Sequence, residues 1–186
     1  MKKLTGLDKI KTAIFISGSG SNLKSLIKFS YEKNSPISIN LVISNKKNAK
    51  GLKYAVQNNI QKIISNSEKK IINQLKKKKI SFICLAGFMK ILSCSFIKKF
   101  NGKIINIHPS LLPKYKGLDT HKRALKNKEK YSGCTVHYVT SKLDSGKLIL
   151  QKRVKIKKND TEKSLKINIL KEEYKLYRKA IKKIFC

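Results

Sequence analysis

The sequence predicts one α/β domain over residues 1–186, a three-layer α/β/α sandwich on a mostly parallel sheet with an antiparallel C-terminal extension. Three observations carry this. Short runs rich in β-branched residues alternate with segments of helical spacing as far as residue 108. Two further strand-like runs then follow each other across one short loop, as in a hairpin. A long stretch of helical periodicity closes the chain. At 186 residues and 40% hydrophobic content, such a chain can bury one real core.

The elements read off in order. TAIFIS (12–17) is a short buried strand, and from Asn22 to about Lys33 the residues Leu23, Leu26 and Ile27 recur at helical spacing. ISINLVIS (37–44) is a second strand, AKGLKYAVQNN (49–59) a helix, IQKII (60–64) a third strand, and 67–79 a helix with a lysine-heavy end. ISFICLAG (80–87) is a fourth strand, Ser93–Phe100 a short helix and KIINIH (103–108) a fifth strand. A helix starts near His121. CTVHYV (134–139) and KLILQKRVKI (147–156) form the antiparallel pair, and 161–184 is the terminal helix, with Thr161 as N-cap and Glu162 in its first turn. Strands alternating with helices imply a parallel sheet covered on both faces. Ligands of such sheets sit beyond the carboxyl ends of the strands, where SGSGSN, SNKKN, GFMKIL and HPSLLP fall.

The formal net charge of +34 invites a nucleic-acid reading. Only three of the 44 basic residues are arginine, however: Arg123, Arg153 and Arg178. Arginine is the usual reader of bases and the two-pronged partner of phosphates. The lysines are spread along the whole chain, so a solvated lysine surface is the simpler account. No apolar run reaches membrane-spanning length, and MKKLTGLDKIK lacks the apolar core of a secretory signal. Cys84, Cys94, Cys134 and Cys186 show no paired metal spacing and read as reduced thiols of a cytoplasmic protein.

Gly18-Ser19-Gly20-Ser21-Asn22 follows a strand and opens a helix. Its glycines let backbone N–H groups approach an anion, and Ser21 or Asn22 is a candidate cap. Leu23 stands where a dinucleotide fingerprint needs its third glycine, and no Gly-Lys-Ser/Thr is present, leaving a site for one phosphate group or a plain tight turn. Asn106 and His108 lie two apart on the fifth strand and so face one side, with Pro109 and Pro113 stiffening the exit. An amide and an imidazole aimed at one point suit chemistry at a carbonyl carbon. A charged imidazole needs a carboxylate, and Asp144 stands out in the loop TSKLDSG, although turn-forming alone also explains an aspartate there. His137, alternating with apolar neighbours, fits a core histidine. Histidines 13 and 16 apart make no metal site, and no Ser or Cys has the setting of an activated nucleophile.

These residues resemble the folate-dependent phosphoribosylglycinamide formyltransferases. The likeness rests on ISGSGSNL (16–23), LAGFMKILS (85–93), INIHPSLLPKYKGLDTH (105–121), GCTVHYVTSKLDSG (133–146) and KEEYKLY (171–177). It implies the formyltransferase fold, with a Rossmann-like N-terminal half, and transfer of a formyl group from 10-formyltetrahydrofolate to the amine of phosphoribosylglycinamide. It implies Asn106, His108 and Asp144 as the catalytic trio. Gly20, Ser21, Asn22 and Glu173 would bind phosphoribosylglycinamide. Met89, Lys90, Ile91 and Leu92, together with Asn106, Thr140, Ser141, Lys142, Leu143 and Asp144, would line the folate site. Within this reading Asp144 raises the His108 pKa, and Met89, Ile91 and Leu92 offer apolar surface to a flat pterin. No metal is expected, and the partners are two small molecules, with no specific nucleic acid, no membrane, and a monomer or weak homodimer. The chain departs from the family pattern at Lys90, Lys147 and Arg178, where arginine, proline and proline are usual.

Two rivals share parts of this pattern. A formyltetrahydrofolate hydrolase or another formyltransferase with the same Asn-His-Asp core is the nearer one. The length leaves no room for the RNA-binding domain of the methionyl-tRNA enzyme or the N-terminal domain usual in the hydrolase. A basic nucleic-acid-binding module is the rival from another class, and it gives no reason for Asn106, His108 and Asp144 to converge.

Overall fold

The computed structural model describes residues 9–186. The first eight residues, which hold most of the segment on which the absence of a secretory signal is argued, lie outside that range. The elements are β1 (Ile10–Ile16), α1 (Ser21–Ser30), β2 (Ile37–Ser44), α2 (Leu52–Gln57), β3 (Lys62–Ile64), α3 (Glu68–Lys77) and β4 (Phe82–Leu85). They continue with α4 (Cys94–Lys99), β5 (Lys103–His108), α5 (Thr120–Lys126), β6 (Tyr131–Tyr138), β7 (Leu148–Lys155) and α6 (Glu162–Phe185).

The strands form one sheet in the order β3-β2-β1-β4-β5-β6-β7. β1 to β5 are parallel, and β6 and β7 add antiparallel to the β5 edge. The predicted architecture is therefore present. Alternation along β1 shows why two faces are covered. Ile14 and Ile16 join the apolar cluster that includes Leu23 of α1 and Leu165 of α6, whereas Ala13 and Phe15 join the one that includes Ile71 of α3 and Phe96 of α4. Right-handed crossovers require this segregation: the chain runs outward from β1 to β3, then returns to β4 and β5. The reversal between β1 and β4 opens a crevice at the carboxyl ends of the strands.

Side chains cap three of the six helix starts. Thr161 accepts from the Ser164 amide while the Ser164 hydroxyl accepts from the Thr161 amide, a reciprocal box at the start of α6. Ser67 and Ser93 cap α3 and α4 in the simpler manner. At α1 the expectation of a Ser21 or Asn22 cap is overturned. The capping position is Gly20, in the left-handed region at φ 73°, without a side-chain cap, because the Asn22 amide is directed to Glu173 instead. A Cβ on Gly20 would lie 2.5 Å from the Gly51 Cα, so two backbones meet there with no side chain between them. This contact also shortens α2 relative to the expected 49–59, since Gly51 donates its N–H to the Gly18 carbonyl before the helix begins. β6 starts at Tyr131, earlier than expected, because its pairing with β7 extends to Lys155. Among the described residues no helix is long and apolar enough to cross a membrane.

Candidate active site

β5 ends where the family-like motif begins, and β6 lies beside it in a register that pairs Asn106 with His137 and His108 with Thr135. The loop after β6 turns back at once. Gly146 lies so close to the Tyr138 carbonyl that any Cβ would collide with it, and Asp144 adopts a left-handed φ of 44°. This tight return carries Asp144 onto the tip of β5. Its Oδ2 sits 3.3 Å from His108 Nδ1, and Asn106 Nδ2 sits 3.5 Å from its Oδ1. The three side chains singled out in the sequence thus meet, as one hydrophilic cluster on a largely apolar strand tip.

Two groups hold the cluster from the 109–131 segment, both through backbone atoms. His108 Nε2 donates to the Tyr115 carbonyl at 2.8 Å, and the Gly117 amide donates to Asp144 Oδ2 at 2.9 Å. Burial works against the charge on Asp144. The contact with His137, the Gly117 amide and the nearby His108 outweigh it, and the carboxyl is held below its ordinary range. Asp144 acts to raise the His108 pKa, as expected, but for this ring the balance falls the other way. Desolvation of the buried ring is the larger influence and lowers the imidazole pKa, while the Tyr115 carbonyl and Asp144 only partly oppose it. In this arrangement His108 is a donor through Nε2.

His137 is the satisfied buried histidine that the sequence allows, and it also faces the cluster. Its Nδ1 is bonded to the Tyr138 carbonyl at 2.8 Å, which fixes the proton there. Nε2 is then free to accept from Asn106 Nδ2 at 3.3 Å and lies 3.6 Å from Asp144 Oδ1. His137 therefore sets the orientation of the Asn106 amide. Strand parity held the clue, because a residue facing Asn106 across an antiparallel pair projects to the same side. His121, at the start of α5, has a buried Nδ1 with no partner among the described residues. Burial, Lys166 and His108 push its pKa down to about 4.

The glycine turn lies across the crevice, after β1. Nothing would obstruct a Cβ at Gly18, so the space beside it is open, and the first-turn N–H groups of α1 lack intrahelical acceptors. Asn22 and Glu173 are both buried, and Asn22 Nδ2 donates to Glu173 Oε2 at 2.6 Å. Asn22 Oδ1 has no partner among the described residues. Desolvation raises the Glu173 pKa to about 7, opposed by the Asn22 bond and by Lys166. Sequence periodicity alone would make Glu173 a solvated helix carboxylate.

The segments expected to line a folate site flank the cluster. Met89 and Ile91 are 62% and 57% exposed, unusual for large apolar residues, and Leu143 is 48% exposed. Leu92 is a correction: only 3% exposed, its side chain belongs to the core cluster with Phe96 and offers no free face. Lys90 spans to the Asn66 carbonyl at 2.8 Å. The Ser17 hydroxyl accepts from the Met89 amide and donates to Asn45, joining the end of β1 to this loop. In the opposite loop Thr140 and Ser145 bond each other and the Lys142 carbonyl, while Ser141 and Lys142 are exposed. Among the described residues no group of three His, Cys, Asp or Glu is placed to hold a metal ion.

Comparison with known proteins agrees with this geometry. The profile described as "Formyl transferase" matches residues 10–181. The phosphoribosylglycinamide formyltransferase of Haemophilus influenzae is 40% identical over 181 residues, covering 92% of this chain and 85% of that protein. The human trifunctional purine biosynthetic protein adenosine-3 is also 40% identical, over 93% of this chain, but the chain spans only 18% of that protein's length. The crystal structure of phosphoribosylglycinamide formyltransferase from Brucella melitensis superposes with a TM-score of 0.90 at 40% identity, covering 96% of each chain. A profile match over nearly the whole sheet and a relative matched over most of its own length settle the kinship: the chain belongs to the formyl transferase family.

Proposed function

We propose that the chain transfers the formyl group of 10-formyltetrahydrofolate to the amine of phosphoribosylglycinamide, a step of de novo purine biosynthesis. The meeting of Asn106, His108 and Asp144 within 3.5 Å carries this reading. The residues present also fit a bound folate. Met89, Ile91 and Leu143 leave apolar surface uncovered beside the cluster, which suits the faces of a flat ring, and Lys90 and Lys142 supply cations for an anionic tail.

When bound, the folate supplies the formyl carbonyl. Asn106 and His108 donate hydrogen bonds to the oxygen on which negative charge builds as the amine attacks, each such donor being worth ~3 kcal/mol of barrier. Asn106 keeps its 3.3 Å bond to His137 and turns its longer, weaker arm away from Asp144. His108 exchanges the Tyr115 carbonyl for the substrate oxygen through Nε2. Asp144, held ionised beside His108 Nδ1, accepts a proton on its way from the attacking nitrogen to the departing one. The acceptor's phosphate rests on the Gly20–Asn22 turn, remote from the chemistry. Its binding positions the amine near Glu173 and the free Asn22 Oδ1, both able to accept its N–H groups.

The deciding experiment follows loss of the formyl group with and without phosphoribosylglycinamide. Turnover that requires this acceptor supports the proposal. Equal turnover without it assigns the chain to formyl-folate hydrolysis.

A further inference from the structure

The three arginines of this lysine-rich chain are informative as a set. Where lysine serves almost everywhere, an arginine marks a place that needs a planar fork. Arg123 uses its fork on the Lys116 and Leu118 carbonyls. Arg178 uses its own on Glu32 and Ser25. Arg153 stacks over the Tyr131 ring at 4.1 Å, which fixes its plane, and has no hydrogen bond or ion pair among the described residues. It faces a cavity of about 590 Å³ between the 109–131 segment, the start of β6 and the end of β7, apart from the crevice of the proposed reaction.

The lining of that cavity is one-sided in charge. Arg153, Lys128 and Lys130 face it together with Tyr115, Tyr131 and Asn127. The one carboxylate there, Glu129, is already engaged by Lys114 Nζ and the Tyr115 hydroxyl, each at 2.8 Å. Three cations without a free counter-charge, one of them a stacked and unfilled fork, match a doubly charged oxyanion. We propose that this cavity is a second anion site, shaped for a small phosphate monoester.

Its position makes it a regulatory site. Tyr115 presents its phenol to the cavity and its carbonyl to His108 Nε2. A phosphate bridging Arg153 and the cations around Tyr115 braces that residue and keeps its carbonyl on the imidazole. This second part rests on the proposed role of His108 as donor to the formyl oxygen. Occupancy then slows transfer without competing for the glycine turn.

The test is a titration of the isotope-labelled full chain with inorganic phosphate and with adenosine 5′-monophosphate, ionic strength being held constant with chloride. Backbone amides of residues 127–132 and the Arg153 Nε–H are expected to shift saturably, whereas shifts at residues 20–22 report the glycine turn separately. Arg153→Lys, which keeps the charge and loses the fork, should weaken the cavity titration by roughly tenfold and leave the glycine-turn shifts unchanged. Tighter binding of the nucleotide than of phosphate assigns the stacking face of Tyr131 to a base, and equal binding assigns the site to the phosphate alone. In kinetics, inhibition noncompetitive with phosphoribosylglycinamide should be lost in Arg153→Lys with basal turnover kept. Unmoved amides at 127–132, or an Arg153→Lys chain that binds as well as the parent, overturns the site. Binding without inhibition overturns only the link to His108, and acceptor-independent turnover overturns the transferase reading while leaving the site intact.

Discussion

Asp144 Oδ2 lies 3.3 Å from His108 Nδ1 while also accepting the Gly117 amide at 2.9 Å. One carboxylate therefore faces the ring on one side and pins the segment that caps the ring's other nitrogen. Asp144→Asn removes the charge and keeps the shape. The His108 pKa, already low through burial, should fall further, and transfer should slow by roughly 10²–10⁴, the range for a lost acid–base partner. Titration of the His108 ring protons by NMR measures the first effect, and an unchanged titration curve refutes the pairing.

His137→Phe tests whether an orienting partner matters to the amide. The ring stays, but Asn106 loses the acceptor at 3.3 Å. We expect kcat to fall about tenfold or more, with KM for the acceptor little changed, since a misdirected donor costs transition-state stabilisation rather than binding. A rise in KM with unchanged kcat would place His137 outside the reaction.

Glu173 gives a pH signature whose sign is fixed. Its folded pKa is about 7 against an ordinary 4.5, so the folded chain binds more protons than the unfolded one between those values. Stability contributed by this group is complete below about pH 4.5 and is lost as pH rises toward 7, by an amount on the order of 3 kcal/mol. Glu173→Gln should lack that loss. Urea midpoints of the two chains measured across this window should diverge in favour of the variant and then run parallel above it. Parallel curves throughout would mean that Glu173 is solvated.

The glycine turn separates stability from binding at two neighbouring positions. Gly20→Ala places a Cβ 2.5 Å from the Gly51 Cα at a left-handed φ, and should destabilise the fold by more than ~1 kcal/mol. Gly18→Ala meets no atom within 4 Å, so folding should be unaffected while phosphoribosylglycinamide binds more weakly. Equal binding by the Gly18 variant and the parent would remove the phosphate from this turn.

Element order and the meeting of the trio were legible because they depend on short-range pattern. Apolar runs fixed the strands, and parity put Asn106 and His108 on one side. The identity of the α1 cap was not legible, since it turns on a backbone approach of Gly20 to Gly51, 31 residues further along the chain. Tyr115 and Gly117 were invisible for a related reason: both act through main-chain atoms, which every residue has. The direction of the His108 shift needed the depth of burial, and a sequence lists partners without weighing desolvation against them. Leu92 failed because FMKIL alternates exposed and buried side chains, and only the fold tells which is which.

The Asn22–Glu173 bond joins positions 151 residues apart, and at 2.6 Å it leaves no slack. Every residue from Asn22 to Glu173 must therefore leave the ribosome before their side of the crevice exists. A proteolytic cut that releases α6 would erase that side outright instead of dulling it. Fragments that lack α6 should consequently hold no trace of the Asn22–Glu173 pair, rather than a weakened version of it.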